Sequence, residues 1–200
     1  MANTTRNPCS ICFKPTTRAC TSCESIHYCG QTCEDRDAAL HRLVCKPFAT
    51  FDISSRPDPD HHLGLLFPAH VPGPGFVRID PKFIWVKETD SAKVSQLLGG
   101  DITGPYLRVR QRIEKEEDKA VEMVVIWNQG NFTSGRHSKN PLMNKIFPQS
   151  YWRGAVLVMM GPYVEKGKAT QLRDFKVGDM KYIRRALVDF HEKGLPKKET

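Results

Sequence analysis

Apolar positions recur along this chain with two different periods. From Tyr106 to Ile113 they alternate, with Leu107, Val109 and Ile113 on one side and Arg108, Arg110 and Arg112 on the other, the two-residue period of a half-buried strand. Ala120–Trp127 reads as a second strand, and the acidic Glu114–Asp118 between them turns the pair into a hairpin. Ala155–Met160 is apolar at every position, the pattern of a central strand covered on both faces. Phe76–Ile79 and Phe83–Val86 are shorter strand candidates, separated by a turn at Asp80-Pro81. Near the end of the chain the period lengthens. Met180, Ile183, Leu187 and Phe190 stand three and four apart on one helix face, with Asp179 as N-cap, Gly194 as stop and Pro196 beyond it. Residues 76–200 are therefore expected to form a mixed α+β domain with a C-terminal helix.

The remaining residues have a different character. Residues 47–75, and most clearly Ser54–Gly75 with its prolines and glycines, read as a linker or an irregular, partly buried loop. Residues 1–46 hold all seven cysteines of the chain. No apolar run is long enough to span a membrane, and Met1–Ser10 lacks the apolar core of a secretory signal. These features lead to the expectation of a cytoplasmic or nuclear protein, whose thiols stay reduced. Clustered, paired cysteines in that setting point to metal rather than to disulfides.

The spacing then defines the chemistry. Cys9-x2-Cys12, Cys20-x2-Cys23, Cys29-x3-Cys33 and His41-x3-Cys45 are four ligand pairs. A C-x2-C knuckle turns two thiolates toward one ion, and residues four apart share a helix face. Eight donors make two complete tetrahedra around two zinc ions. A filled first shell leaves no position for water or substrate, so both ions are expected to be structural. The segment has few sizeable apolar side chains, while a structural zinc contributes roughly 10–16 kcal/mol to folding in small finger peptides. Metal is thus the expected source of its order. Four pairs combine into two sites in three ways, and spacing alone does not choose among them. Seven thiolates and two dications also lower the formal charge from +8 to about +5, a modest basic balance.

The full pattern, C-x2-C-x7-C-x2-C-x5-C-x3-C-x7-H-x3-C, resembles the MYND zinc finger at all eight ligands and every interval, and Tyr28 before Cys29 matches that family's usual Tyr-Cys pair. The resemblance covers about a fifth of the chain. It implies interleaved, cross-braced sites, with Cys9, Cys12, Cys29 and Cys33 around one zinc and Cys20, Cys23, His41 and Cys45 around the other. It also implies a protein-interaction module, some members of which bind proline-containing peptides. Two positions depart from the family pattern. Cys33-Glu34 stands where many members have Cys-Gln, and Asp37-Ala38 where they have Asp-Trp. Loss of the aromatic residue bears on peptide recognition and leaves the ligand set whole.

Other residues invite chemistry and are outweighed by plainer readings. Asp58-Pro59-Asp60-His61-His62 offers metal donors, but neighbouring residues in a proline-rich loop seldom converge on one ion. The row Arg108, Arg110, Arg112 places charges about 7 Å apart on one strand face, which suits phosphates but is more often a solvated face. His27 lies inside the finger without being needed as a ligand, and His70, His137 and His191 stand alone. The chain has no G-x-S-x-G elbow, no Walker loop and no dinucleotide fingerprint. Methyltransferases that combine a MYND finger with a SET domain carry an Asn-His-x-Cys motif and later cysteines, and this chain has no cysteine past Cys45. The expected function is a non-enzymatic adaptor that meets a protein partner through its finger. A nucleic-acid-associated regulator using the basic C-terminal part is the second reading, and an enzyme within residues 76–200 the third.

Overall fold

The computed structural model describes residues 7–69, 79–87, 89–99, 138–149, 152–162 and 172–185, together with the backbone of two strands at 106–113 and 121–128. In chain order the elements are β1 (Asn7–Pro8), β2 (Pro15–Thr16), α1 (Gln31–Ala49), β3 (His62–Phe67), β4 (Lys82–Val86), α2 (Ser91–Leu97), β5 (Tyr106–Ile113), β6 (Val121–Asn128), α3 (Pro141–Ile146) and β7 (Val156–Pro162). Residues 180–185 open a further helix. The mixture is α+β, as expected.

Five strands form one antiparallel sheet in the order β4-β3-β7-β6-β5. The predicted hairpin is β5 with β6, paired from Tyr106 opposite Asn128 to Ile113 opposite Val121. The apolar run at 155–160 becomes β7, and it does occupy the centre. Phe83–Val86 falls within β4. Of the other strand candidate, residues 76–78 lie outside the described residues, and so do Leu187, Phe190, Gly194 and Pro196 of the predicted helix.

The reading of residues 54–75 as a linker or irregular loop needs correction at its centre, because His62–Phe67 is β3 and pairs with both β4 and β7. Leu63, Leu65 and Phe67 face one side, Gly64 and Leu66 the other, and all five are buried. A strand covered on both faces shows no alternation. A glycine in its middle and prolines around it hid the remainder of the signal. That glycine has a packing reason: a Cβ on Gly64 would stand 3.1 Å from the Leu157 side chain.

The two sheet faces carry different cores. Leu66 and Val86 join Leu157 and Met159 on one side, where Val94 and Leu98 of the α2 segment cover them. Asp90 caps α2 through the Lys93 N–H at 2.9 Å. The opposite face is formed by Leu63, Leu65, Phe83, Trp85, Val158 and Met160, and it is covered by three separate segments. α3 contributes Leu142, Met143 and Ile146; residues 175–183 contribute Phe175, Met180 and Ile183; the finger contributes Ile26, Tyr28, Leu40 and Val44. The finger and the sheet thus share one apolar core.

Two polar hubs hold this arrangement. Asn140 is fully buried; its amide NH2 donates to the carbonyls of Phe67, Pro68 and Gly154, and its Oδ1 accepts from Leu142 and Met143 at the start of α3. Residues 173–175 wedge between β3 and β7: Arg173 N–H donates to Met160 and Phe175 N–H to Leu63, both at 2.8 Å. Asp179, expected as the helix N-cap, instead closes a 3-10 turn at Val177–Asp179. Its carboxylate accepts from Lys176 N–H and takes both guanidinium nitrogens of Arg173, each bond 2.8 Å long. Burial would lower the Arg173 pKa, but the Asp179 carboxylate more than offsets it and holds the guanidinium charged.

Candidate metal centre

Two short loops of the finger fold alike. Phe13 N–H bonds the Cys9 carbonyl and Glu24 N–H bonds the Cys20 carbonyl, both at 2.9 Å. Each loop ends on a left-handed residue, with φ of 63° at Phe13 and 53° at Glu24, a conformation uncommon outside glycine. The turns bring Cys9 toward Cys12 and Cys20 toward Cys23. Helix α1 supplies most of the other donors. It begins just after Cys29-Gly30, carries Cys33 in its first turn, and presents His41 and Cys45 one turn apart further along. Cys33 and His41 are eight positions apart, about 12 Å of helix, so one helix serves two groups.

Among the described residues, Cys9, Cys12, Cys29 and Cys33 form one group and Cys20, Cys23, His41 and Cys45 the other, with the donor atoms of each within 4.8 Å of one another. This is the interleaved arrangement that the resemblance implied. In the first group Cys12 Sγ is 3.3 Å from Cys29 Sγ, and Cys33 Sγ is 3.6 Å from Cys29 and 3.7 Å from Cys12. In the second, Cys20 and Cys45 sulfurs are 3.7 Å apart and Cys23 Sγ lies 3.4 Å from His41 Nε2. Thiolates bound to zinc at about 2.3 Å are separated by about 3.8 Å in a tetrahedron. The spacing fits, and sulfur-rich donors with one imidazole suit zinc.

The electrostatics point the same way. Burial pushes the Cys9 thiol up, but the backbone N–H groups of Cys12, Ile11 and Cys29 outweigh it and bring the thiol down to about 6. Cys33 is pushed up to about 12, chiefly by its sulfur contact with Cys29, and Cys23 to about 12 by burial. So many thiols in so little space do not ionise together without a cation. Burial also lowers the His41 pKa, which keeps its imidazole neutral as a ligand must be.

Residues 9–45 match the family model of the MYND finger. This segment is a MYND finger. Over 47 residues the chain is 43% identical to ubiquitin carboxyl-terminal hydrolase 19 of Arabidopsis thaliana, an alignment that covers 23% of this chain and 7% of that protein. No solved structure matches the chain. The MYND finger binds zinc, and its two donor groups fit two zinc ions. When bound, each ion supplies four ligand bonds that tie the knuckles to α1.

The other candidates fall outside these groups. His27 Nε2 meets Asn7 Nδ2 at 3.0 Å. Asp58 orders its own loop, accepting from Asp60 N–H and His61 N–H and holding His61 Nδ1 at 2.8 Å, while His62 enters β3. The Arg108, Arg110 and Arg112 side chains lie outside the described residues; their backbone is in β5, the terminal strand at the end of the sheet away from β4. His70, His137 and His191 lie outside them as well. Glu34 pairs with Arg18 and Ala38 is half-buried on α1. Asp37, which the sequence offered only as the residue before the Ala38 departure, is buried on α1 and accepts a hydrogen bond from Tyr28. A lone carboxylate on an amphipathic helix gives no signal of such a role unless its partner, Tyr28, is already known.

Proposed function

We propose that this protein is a non-enzymatic adaptor in which two structural zinc ions shape a platform for a protein partner. The observation that carries this reading is the completeness of both donor groups: four donors surround each ion position, leaving no ligand place for a substrate. MYND fingers in general mediate protein–protein interaction. The shared core supports the reading further, because it makes the finger and the sheet one rigid support rather than a tethered module.

The surface best suited to the partner lies where finger helix and sheet meet. A groove of about 520 Å³ runs between the end of α1, at Pro47, with Phe51 just past it, and the start of β4, at Phe83 and Ile84. β4 is terminal in the strand order, so among the described residues its outer edge has no ladder partner. The charged residues lining the groove are Lys46, Lys82 and Asp80, all exposed, which leaves it a net positive charge. An extended segment carrying carboxylates is the matching occupant: its backbone adds to the edge, its apolar side chains enter the groove and its acids meet the lysines.

A photo-crosslinking amino acid at Thr50, in the groove wall, tests this in extract from the native cell. The expected product joins Thr50 to an acidic, extended stretch of a protein, requires zinc and disappears in the Lys46→Glu, Lys82→Glu double variant. Crosslinks that survive both chelation and charge reversal would overturn the reading. Crosslinks to RNA or DNA would replace it with the nucleic-acid-associated one.

A further inference from the structure

We infer that Tyr28 and Asp37 are positioning residues for the zinc ion of the Cys20, Cys23, His41 and Cys45 group. Both are nearly inaccessible, Tyr28 at 2% and Asp37 at 5% exposure, and buried polar atoms are expected to be hydrogen-bonded. Their bonds form a single line. Tyr28 Oη is 2.7 Å from Asp37 Oδ2 and 3.1 Å from His41 Nδ1.

The donor roles follow from valence. Tyr28 donates its phenol proton to Asp37 Oδ2, so that proton is not shared with His41. Tyr28 Oη is then the acceptor toward His41, and Nδ1 must carry the ring hydrogen. That leaves the lone pair of His41 on Nε2, the nitrogen that lies 3.4 Å from Cys23 Sγ inside the donor group. Metal-bound histidines commonly donate their second ring nitrogen to a carboxylate or carbonyl, and loss of that partner weakens metal binding. Here a tyrosine stands between the imidazole and the carboxylate.

The local fold makes the line rigid at both ends. Asp37 and His41 are four apart on α1 and share its inner face. Tyr28 is fixed through its backbone, where its N–H bonds the Arg18 carbonyl at 3.0 Å and its carbonyl accepts from Thr16 Oγ1 at 3.0 Å. It also directly precedes Cys29, a donor of the other group. The same side chain therefore links the two zinc positions: its backbone continues into one and its hydroxyl orients a ligand of the other.

The test is Tyr28→Phe in the full chain, which keeps the ring in the core and removes only the hydroxyl. Chelator competition should show one of the two zinc equivalents weakened by about 10- to 100-fold and the other unchanged. Cadmium-113 NMR of the cadmium-loaded protein separates a four-sulfur site from a three-sulfur, one-nitrogen site, and the resonance that shifts should be the latter. The His41 Nδ1 proton should move upfield with loss of its acceptor. Asp37→Asn retains an acceptor for the phenol and should recover most of the affinity, whereas Asp37→Leu should not. If Tyr28→Phe does not fold, Asp37→Asn and Asp37→Leu read in the same competition decide the matter. Wild-type competition curves for Tyr28→Phe or for Asp37→Leu, or equal weakening of both zinc ions, would overturn the inference.

Discussion

The finger and the five-stranded sheet reach a folded state by different means. In the sheet, order comes from apolar area: β3 and β7 are buried on both faces and carry few polar side chains that need partners. In the finger the apolar supply is thin, and direction comes from eight donors that converge on two points. The sheet would tolerate exchange of one aliphatic residue for another of similar volume. The finger tolerates no such exchange at its donors, because geometry and charge are both fixed by the ion. The two are nonetheless not independent, since Ile26, Tyr28, Leu40 and Val44 complete the core on one sheet face. The metal therefore supports more of the molecule than the residues it binds.

Removal of zinc probes this dependence most severely. Each structural zinc contributes roughly 10–16 kcal/mol in finger peptides, against a whole-domain stability of about 5–15 kcal/mol. Chelation should unfold the finger and expose the sheet face it covers. Trp85 is a suitable reporter, packed 5.7 Å from the Phe51 ring just past α1 and holding Ser55 Oγ through its indole N–H. Its fluorescence should shift to the red as metal leaves, and β3 amides should lose protection from exchange. Unchanged Trp85 emission and unchanged β3 protection would mean that the shared core is dispensable. Cys33→Ser is a milder version of the same test. It should release about one zinc equivalent and increase protease cleavage within the finger, and an unaltered metal count would contradict it.

A matched pair of core truncations sharpens the comparison. Leu40 belongs to the core that finger and sheet share, and Leu98 to the one beneath α2. Leu40→Ala and Leu98→Ala should each cost about 2–5 kcal/mol in denaturant unfolding. Only Leu40→Ala should also speed zinc release. Equal effects on zinc would mean that the metal senses global stability rather than the face it sits on. Asn140→Ala comes next. It leaves the carbonyls of Phe67, Pro68 and Gly154 without their donor and removes the cap of α3, for a loss of about 2 kcal/mol. Zinc affinity should stay the same, since Asn140 belongs to the sheet side of the core.

What the sequence revealed follows the same division. The donors were legible because metal spacing is local: every pair is three or four residues apart, and the pattern carries its own chemistry. The hairpin of β5 and β6 and the central position of β7 were legible from period and from unbroken apolar character. β3 was not, because a doubly buried strand interrupted by Gly64 and flanked by prolines has no period to detect. α2 and α3, with seven and six residues, are too short to display a helical repeat. Least legible of all was the joining of the two regions. Tyr28 bonded to Asp37, and residues 173–175 wedged between β3 and β7, are decided by tertiary packing, and no window along the chain contains both partners of the latter.

The smallest expected effect concerns the contact where the two ends of the described chain meet. Lys181 donates from Nζ to the Ser10 carbonyl, a residue 171 positions away, and sits 4.3 Å from the Phe13 ring centroid and 5.1 Å from that of Tyr182. Ser10 and Phe13 belong to the knuckle that presents Cys9 and Cys12, so this ammonium pins one donor loop against the body. Lys181→Met keeps the aliphatic stem and removes the charge, the hydrogen bond and the cation–π contact. The loss should be about 1 kcal/mol in denaturant unfolding. Its specific signature should be faster release of the zinc held by Cys9, Cys12, Cys29 and Cys33, with the other zinc unaffected. A loss of stability without that kinetic asymmetry would mean that Lys181 only packs. The asymmetry without a loss of stability would mean that the contact serves the metal alone, because a loop already fixed by two ligand bonds, through Cys9 and Cys12, gains little further free energy from being held in place.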